Sequence, residues 1–198
     1  MATTRPEQIS DPRVLRAIAH PLRIRILDEL SAGGPLRAAD IATRLGVPAN
    51  QASFHLRSLA KYGLVEEAPE EARDKRDRVW RAAAAGGYRV ELSKLAEEPG
   101  GRAAVEVYRS SKLAWLHQVV DRSFAMSRKE GRGVFSTSDH ALKLTDAEAH
   151  QLREEIDDLV DSWADRTRGR DPERRTYLLV QMVQPYPDEP TDPTEPAG

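Results

Sequence analysis

The stretch from residue 38 to residue 61 constrains the fold of this 198-residue chain more than any other feature. Residues 38–45 carry apolar side chains at the spacing of a short helix, and residues 49–61 carry them at the spacing of a longer one. Gly46 and the two residues after it separate the helices, and a glycine supplies the left-handed backbone that so short a corner needs. This order predicts a helix-turn-helix.

Further elements are predicted on both sides of this unit. Two helices precede it, one starting at Asp11 and one at Pro21. Two short strands follow it, over residues 64–67 and 78–82, with the charged loop 68–77 between them. A helix-turn-helix that continues into such a hairpin, or wing, predicts a mainly α fold with a small β wing (α+β), a winged helix-turn-helix domain.

The second half of the chain predicts a C-terminal helical or α+β dimerisation domain. A long amphipathic helix is expected over 103–127, an extended segment over 134–144, and a further helix that opens on a capping box at Thr145. Residues 176–184 have the composition of a buried strand. The expected organisation is a flexible N-terminus over 1–10, a DNA-binding domain over 11–87, a dimerisation and effector-binding domain over 88–184, and a disordered tail over 185–198.

The charge is unevenly distributed along the chain. Residues 1–82 carry 14 Lys and Arg against 11 Asp and Glu, whereas the remaining residues carry 16 against 21. A net charge of −2 excludes a uniformly basic surface, so a contact with nucleic acid has to be local.

Several kinds of site are missing from the sequence. The chain has no cysteine, which excludes disulfides, thiolate metal sites and cysteine nucleophiles. It has no phosphate-binding loop, no G-x-S-x-G and no H-E-x-x-H, so we expect no enzyme activity and no cofactor. With neither an apolar leader nor a run of about 18 apolar residues, we expect a cytoplasmic protein that does not enter the membrane.

The predicted helix over 49–61 has one apolar face and one polar face. Its apolar residues Ala52, Leu56 and Leu59 are expected to anchor it in the core. The other face carries side chains that suit base edges in the major groove, namely Asn50, Gln51, Ser53, Phe54, His55 and Arg57. Asn and Gln pair with adenine, Arg pairs with guanine or phosphate, and Phe contacts the thymine methyl group. This face predicts sequence-specific binding to double-stranded DNA.

Three segments resemble the ArsR family of winged-helix repressors. They are HPLRIRILDEL from His20, ADIATRLGVPANQASFHLRSLAKYGLV from Ala39 and RDRVWRA from Arg76. The S-x-H-L-x-x-L-x-x-x-G-L-V run from Ser53 is the most specific part, and the resemblance covers about residues 11–82. It implies a homodimeric repressor on a pseudo-palindromic operator, with Ser53 and Phe54 nearest the bases. It also implies DNA-backbone contacts from the wing, for which the candidates are Arg73, Lys75, Arg76 and Arg78.

The long helix is expected to form the dimer interface, helped by the helix that starts at Asp11. The interface candidates are Tyr108, Leu113, Trp115, Leu116, Val119, Val120 and Phe124. A pocket for a small apolar or aromatic ligand is expected between the predicted strands and Trp115 or Trp163. The alternative is that these aromatic rings fill the core.

The chain departs from the metal-sensing members of the family that it resembles. The sequence before the corner reads LRAAD, without the C-x-C of those sensors, and His117 with Asp121, or Asp139 and His140 with His150, do not match the other family pattern. We therefore expect no metal site. The alternative to DNA binding is a winged helix that binds protein and never DNA. The alternative to DNA-backbone contacts by the wing is a loop whose basic side chains are only solvated among their acidic neighbours.

Overall fold

The computed structural model describes residues 7–72, 78–84, 86–126, 136–169 and 174–186. The α-helices in these ranges are α1 Pro12–Ile18, α2 Pro21–Gly33, α3 Ala38–Leu45, α4 Ala49–Lys61, α5 Leu92–Glu97, α6 Gly101–Met126 and α7 Asp146–Thr167. The strands are β1 Glu7–Ile9, β2 Leu36–Arg37, β3 Val65–Glu67, β4 Val79–Ala82 and β5 Tyr88–Val90. The predicted mainly α fold with a small β wing is confirmed, and no helix in the described part of the chain could span a membrane.

The first two helices begin where the sequence predicts. The Asp11 carboxylate accepts a hydrogen bond from the Arg13 N–H at 2.7 Å, and the His20 ring nitrogen Nδ1 accepts one from the Leu22 N–H at 3.2 Å. A proline follows each cap. Since proline has no N–H to leave unpaired in a first turn, both starts are well defined.

One hydrophobic core joins α1 to α4 and extends into α5 and α6. Its fully buried large side chains are Leu15, Ile26, Leu30, Ile41, Leu56, Leu59, Leu64, Val65 and Leu95. Each buried Leu or Ile contributes about 1.5–3 kcal/mol to stability. Because Leu95 of α5 and Ala104 of α6 belong to the same core, packing continues past residue 87, where the sequence predicts a domain boundary.

The wing is a three-stranded antiparallel sheet in the order β2–β4–β3. Trp80 of β4 pairs with Leu36 on one side and with Glu67 on the other, and it is 4% exposed. The hairpin of β3 and β4 confirms the predicted strands. The two-residue strand β2 is an addition to the predicted elements, because so short a segment has no detectable periodicity.

A second sheet corrects the prediction of a flexible N-terminus. β1 pairs in parallel with β5, and Ile9 is 4% exposed. The Tyr88 hydroxyl of β5 donates a hydrogen bond to the Leu64 carbonyl at 2.8 Å, which ties this sheet to the base of the wing. The part of the predicted N-terminus before residue 7 lies outside the described residues.

The C-terminal helix α7 confirms the predicted capping box. The Thr145 hydroxyl accepts from the Glu148 N–H at 3.3 Å, and the Glu148 carboxylate accepts from the Thr145 N–H at 2.8 Å. The apolar stripe of α7 is open to solvent, with Leu159 57% and Trp163 56% exposed.

The predicted buried strand over 176–184 is wrong. These residues join no sheet and are exposed, and residues 136–144 join none either, so no α+β layer forms from them in the described chain. The physical reason is the lack of a partner: β-forming residues make a strand only against a neighbouring strand. The beginning of the predicted 134–144 segment and most of the predicted tail lie outside the described residues.

Candidate DNA interface

The corner between α3 and α4 is held by backbone geometry and by the core. Gly46 ends α3 in the left-handed region, with φ of +65°. The Val47 N–H then donates to the Ala42 carbonyl at 3.0 Å, which closes the turn. Both helices are anchored beneath it, α3 by Ile41 and Leu45 and α4 by the buried Ala52, Leu56 and Leu59. The corner therefore presents the outer face of α4 in a fixed orientation.

That outer face exposes most of the predicted base-reading side chains. Asn50, Gln51 and Arg57 are exposed, and Ser53 is half-buried. Phe54 is 61% exposed. An exposed phenyl ring on this face suits contact with a thymine methyl group. These five residues lie on one side of α4, as the sequence predicts, and their contact with DNA remains a prediction.

His55 does not belong to this face. It is 6% exposed, and its ring centroid lies 4.5 Å from that of His20. It lies three positions after Ala52 and four positions before Leu59, which is the spacing of the buried side of α4. This spacing is the signal in the sequence that identifies His55 as buried. The prediction that His55 lies on the outer face of α4 is therefore wrong.

Arg23 of α2 contacts α4 through its guanidinium. Its Nη1 donates to the Ser58 hydroxyl of α4 at 2.8 Å. Its Nε is buried and has no hydrogen-bond partner in the described part of the chain. Arg23 therefore links α2 to α4.

His20 and His55 predict that the chain becomes less stable as the pH falls. Burial, followed by the nearby Arg23 cation, lowers the pKa of His20, and burial with the His20 and Arg23 charges lowers the pKa of His55. Each folded pKa is below its unfolded value of about 6.5, so protons bind the unfolded chain more tightly, and we expect the free energy of unfolding to decrease as pH falls from about 7 to about 5.

Urea denaturation of the parent chain and of His55→Leu, each across this pH range, measures the difference between their free energies of unfolding. The variant control is needed because burial raises the pKa of Asp28 to about 6, and protonation of Asp28 favours the folded chain as pH falls. We expect the stability difference to shift in favour of the variant on acidification. A difference that does not change with pH would contradict the prediction.

The wing is only partly within the described residues. Arg78 is exposed, and its Nη1 lies 3.7 Å from the Glu67 carboxylate. Arg81 is held more closely, at 2.7 Å from Glu66 and also by Glu70. The other wing candidates Arg73, Lys75 and Arg76 lie outside the described residues.

The predicted dimer residues of α6 divide between two faces. Tyr108 is half-buried and packs against the core of its own chain, and its contact with a second copy remains a prediction. Leu113 is 50%, Val120 51% and Phe124 60% exposed. Trp115, Leu116 and Val119 are half-buried between these faces.

No metal centre is found within the described ranges. Nowhere there do three or more His, Asp or Glu side chains come close enough to hold a metal ion. His117, Asp121, Asp139, His140 and His150 are all inside those ranges.

Comparison with known proteins shows a similarity over the part of the chain that carries this site. Residues 18–68 match the family model of the helix-turn-helix domain. No curated protein matches the chain. The match spans α2, the corner and α4, and ends just after β3.

Solved structures of transcriptional regulators are similar to parts of the chain. A crystal structure of a possible transcriptional regulatory protein from Mycobacterium bovis is 28% identical over 55% of this chain and 88% of its own, with a TM-score of 0.31. A solution structure of a homodimeric winged helix-turn-helix DNA-binding domain from the same organism, a possible ArsR-family regulator, is 28% identical over 55% of this chain and 76% of its own, with a TM-score of 0.31. MarR from E. coli is 18% identical over 75% of this chain and 87% of its own, with a TM-score of 0.32.

Proposed function

We propose that this chain, which contains a helix-turn-helix domain of the matched family over residues 18–68, is a homodimeric ArsR-type transcriptional repressor that binds a pseudo-palindromic DNA operator. The observation that carries the proposal is the outer face of α4. A rigid glycine corner presents exposed Asn50, Gln51, Phe54 and Arg57 together, and these residue types suit base edges in the major groove.

The remaining geometry supports the same function. One short recognition helix reads only a few base pairs, so useful affinity at cellular salt needs two copies about one DNA turn apart. The outward apolar stripe of α6, formed by Leu113, Val120 and Phe124, offers a surface through which two copies can associate. The resemblance of about residues 11–82 to the ArsR family of repressors supports repression as the direction of regulation.

A selection of bound sequences from a random DNA pool at physiological salt tests the proposal. We expect enrichment of one sequence with two-fold symmetry and half-sites about 10 base pairs apart. Absence of any enriched sequence, together with indifference to DNA at low salt, would instead favour a winged helix that binds protein.

The wing should contribute affinity without sequence preference. Replacing Lys75 and Arg76 together by alanine is expected to weaken binding to all DNA sequences. It should also flatten the slope of log K against log salt by about 0.9 for each phosphate that the wing no longer neutralises, since fewer counterions are released. Binding titrations over a series of salt concentrations measure the slope.

Arg81→Ala provides the matched control for the wing. Arg81 belongs to the same hairpin, but Glu66 and Glu70 already hold its guanidinium. We expect the salt slope of this variant to equal that of the parent chain. A parental slope in the Lys75/Arg76 double variant would show that the wing loop is only solvated.

A further inference from the structure

A cleft lies between α2, α6 and residues 178–182, which we call the C-terminal segment. Its volume is about 350 Å³, and it is lined by Ile24 and Asp28 of α2, by Lys112, Trp115 and Leu116 of α6, and by residues 178–182. Cavities of about 300–1,000 Å³ hold small organic molecules.

The walls of this cleft are mainly apolar and are open to solvent. Leu178 is 52%, Leu179 65% and Met182 72% exposed. The segment is tied to α7 by Gln181, which also lines the cleft and whose side-chain amide donates to the Asp157 carboxylate at 3.0 Å. The cleft therefore has an anchored apolar wall that a bound molecule would cover.

The polar end of the cleft carries one pair of opposite charges. The Lys112 ammonium lies 4.4 Å from the centroid of the Trp115 ring. Burial lowers the pKa of Lys112 and the Asp28 charge raises it, whereas burial raises the pKa of Asp28 to about 6. The opposite charges of Lys112 and Asp28 offset each other, so an anionic or cationic ligand would have to compete with the partner already present.

The cleft is also connected to both parts of the proposed DNA-binding machinery. Ile24 directly follows Arg23, whose guanidinium holds Ser58 of the recognition helix at 2.8 Å. Leu116 lies on α6 one turn from Leu113 and Val120 of the outward stripe. A molecule in the cleft would therefore contact both α2, which holds α4 through Arg23, and α6, which carries the outward apolar stripe.

We propose that this cleft is an effector site for a small uncharged aromatic molecule with a hydrogen-bonding group, and that its occupancy changes the affinity for DNA. The aromatic body would lie against Trp115 and the 178–182 wall, and the polar group would reach Asp28 and Lys112. The coupling to DNA rests on the proposed function, whereas binding to the cleft does not.

Fluorescence titration of the full chain with N-phenyl-1-naphthylamine, an uncharged aromatic amine, tests the site. We expect saturable binding that Leu179→Asp weakens at least tenfold, because the new carboxylate would stand in the apolar wall. Val183→Asp is the matched control: it makes the same type of change on the same segment outside the cleft, at a residue 41% exposed, and should bind as the parent does. The sulfonated analogue 1-anilinonaphthalene-8-sulfonate should bind more weakly than the amine.

The possible results distinguish failure of the proposed ligand site from failure of the proposed DNA-binding function. Absence of saturable binding, equal weakening by both variants, or tighter binding of the sulfonate would overturn the proposed site. Saturating amine should shift the Kd for the selected operator severalfold in the parent and not in Leu179→Asp, and an unchanged Kd would overturn the coupling. If the chain binds no DNA at all, the proposed function fails while the dye titration still decides the site.

Discussion

Replacing Leu113 and Val120 together by glutamate is expected to yield a folded monomer whose operator affinity is lower by about 10²- to 10⁴-fold, because the two half-sites are then bound independently. The two side chains are 50% and 51% exposed and lie seven residues apart, so they share one stripe of α6. Glutamates there remain solvated in a single chain, but they would be buried and unpaired between two copies.

The physical case for this stripe is that α6 is apolar on two sides. Ala104 and Tyr108 face the core of the same chain, and the Ser111 hydroxyl donates to the Ala19 carbonyl at the end of α1. One side of the helix is therefore already occupied within the protomer. Leu113 and Val120 lie away from that side, where a single chain leaves them in water.

Ala114→Glu with Gln118→Glu is the matched control for this prediction. Both positions are exposed and lie on α6 away from the stripe, so two glutamates there add the same side chains without entering the proposed interface. Sedimentation equilibrium gives the mass, circular dichroism the fold, and a gel-shift titration the operator affinity. The interface is wrong if the Leu113/Val120 double variant stays dimeric and binds operator as the control does.

An element of this structure is predictable from the sequence when its apolar residues recur at regular spacing. The helices over 12–61 are predictable because apolar residues recur every three or four positions, and the corner is predictable from Gly46. β1 and β5, with three residues each, have no such pattern, and their parallel pairing joins positions about 80 residues apart. Non-local pairing of this kind is not visible in local sequence.

The errors at the site have a related physical origin. The polarity of His55 suggests the DNA-contacting face, although its position relative to Ala52 and Leu59 puts it on the buried side. For α6, which has two apolar faces, periodicity alone cannot tell which neighbour each face meets, and it does not show that Tyr108 packs against the core of its own chain. Residues 176–184 have strand-forming composition, but a strand also requires a partner, which composition cannot supply.

Phe54→Ala and Gln51→Ala are each expected to weaken binding to the selected operator by about 1–3 kcal/mol, a factor of roughly 5 to 150 in Kd, while binding to unrelated DNA stays nearly unchanged. Both side chains are exposed on the outer face of α4, with Phe54 61% exposed, so neither substitution removes core packing. The expected weakening arises at the bases, because an alanine offers neither a hydrogen bond to adenine nor an apolar surface to a thymine methyl group.

Arg57→Ala separates base reading from general affinity on the same helix face. If Arg57 contacts phosphate, its replacement should lower the affinity for all sequences and reduce the salt slope, whereas the Phe54 and Gln51 variants should keep the parental slope. Competition titrations of operator and unrelated DNA, each at several salt concentrations, measure both quantities. If Phe54→Ala and Gln51→Ala both retain parental operator affinity, α4 is not the helix that reads the sequence, because its remaining outward side chains are too few to specify a half-site.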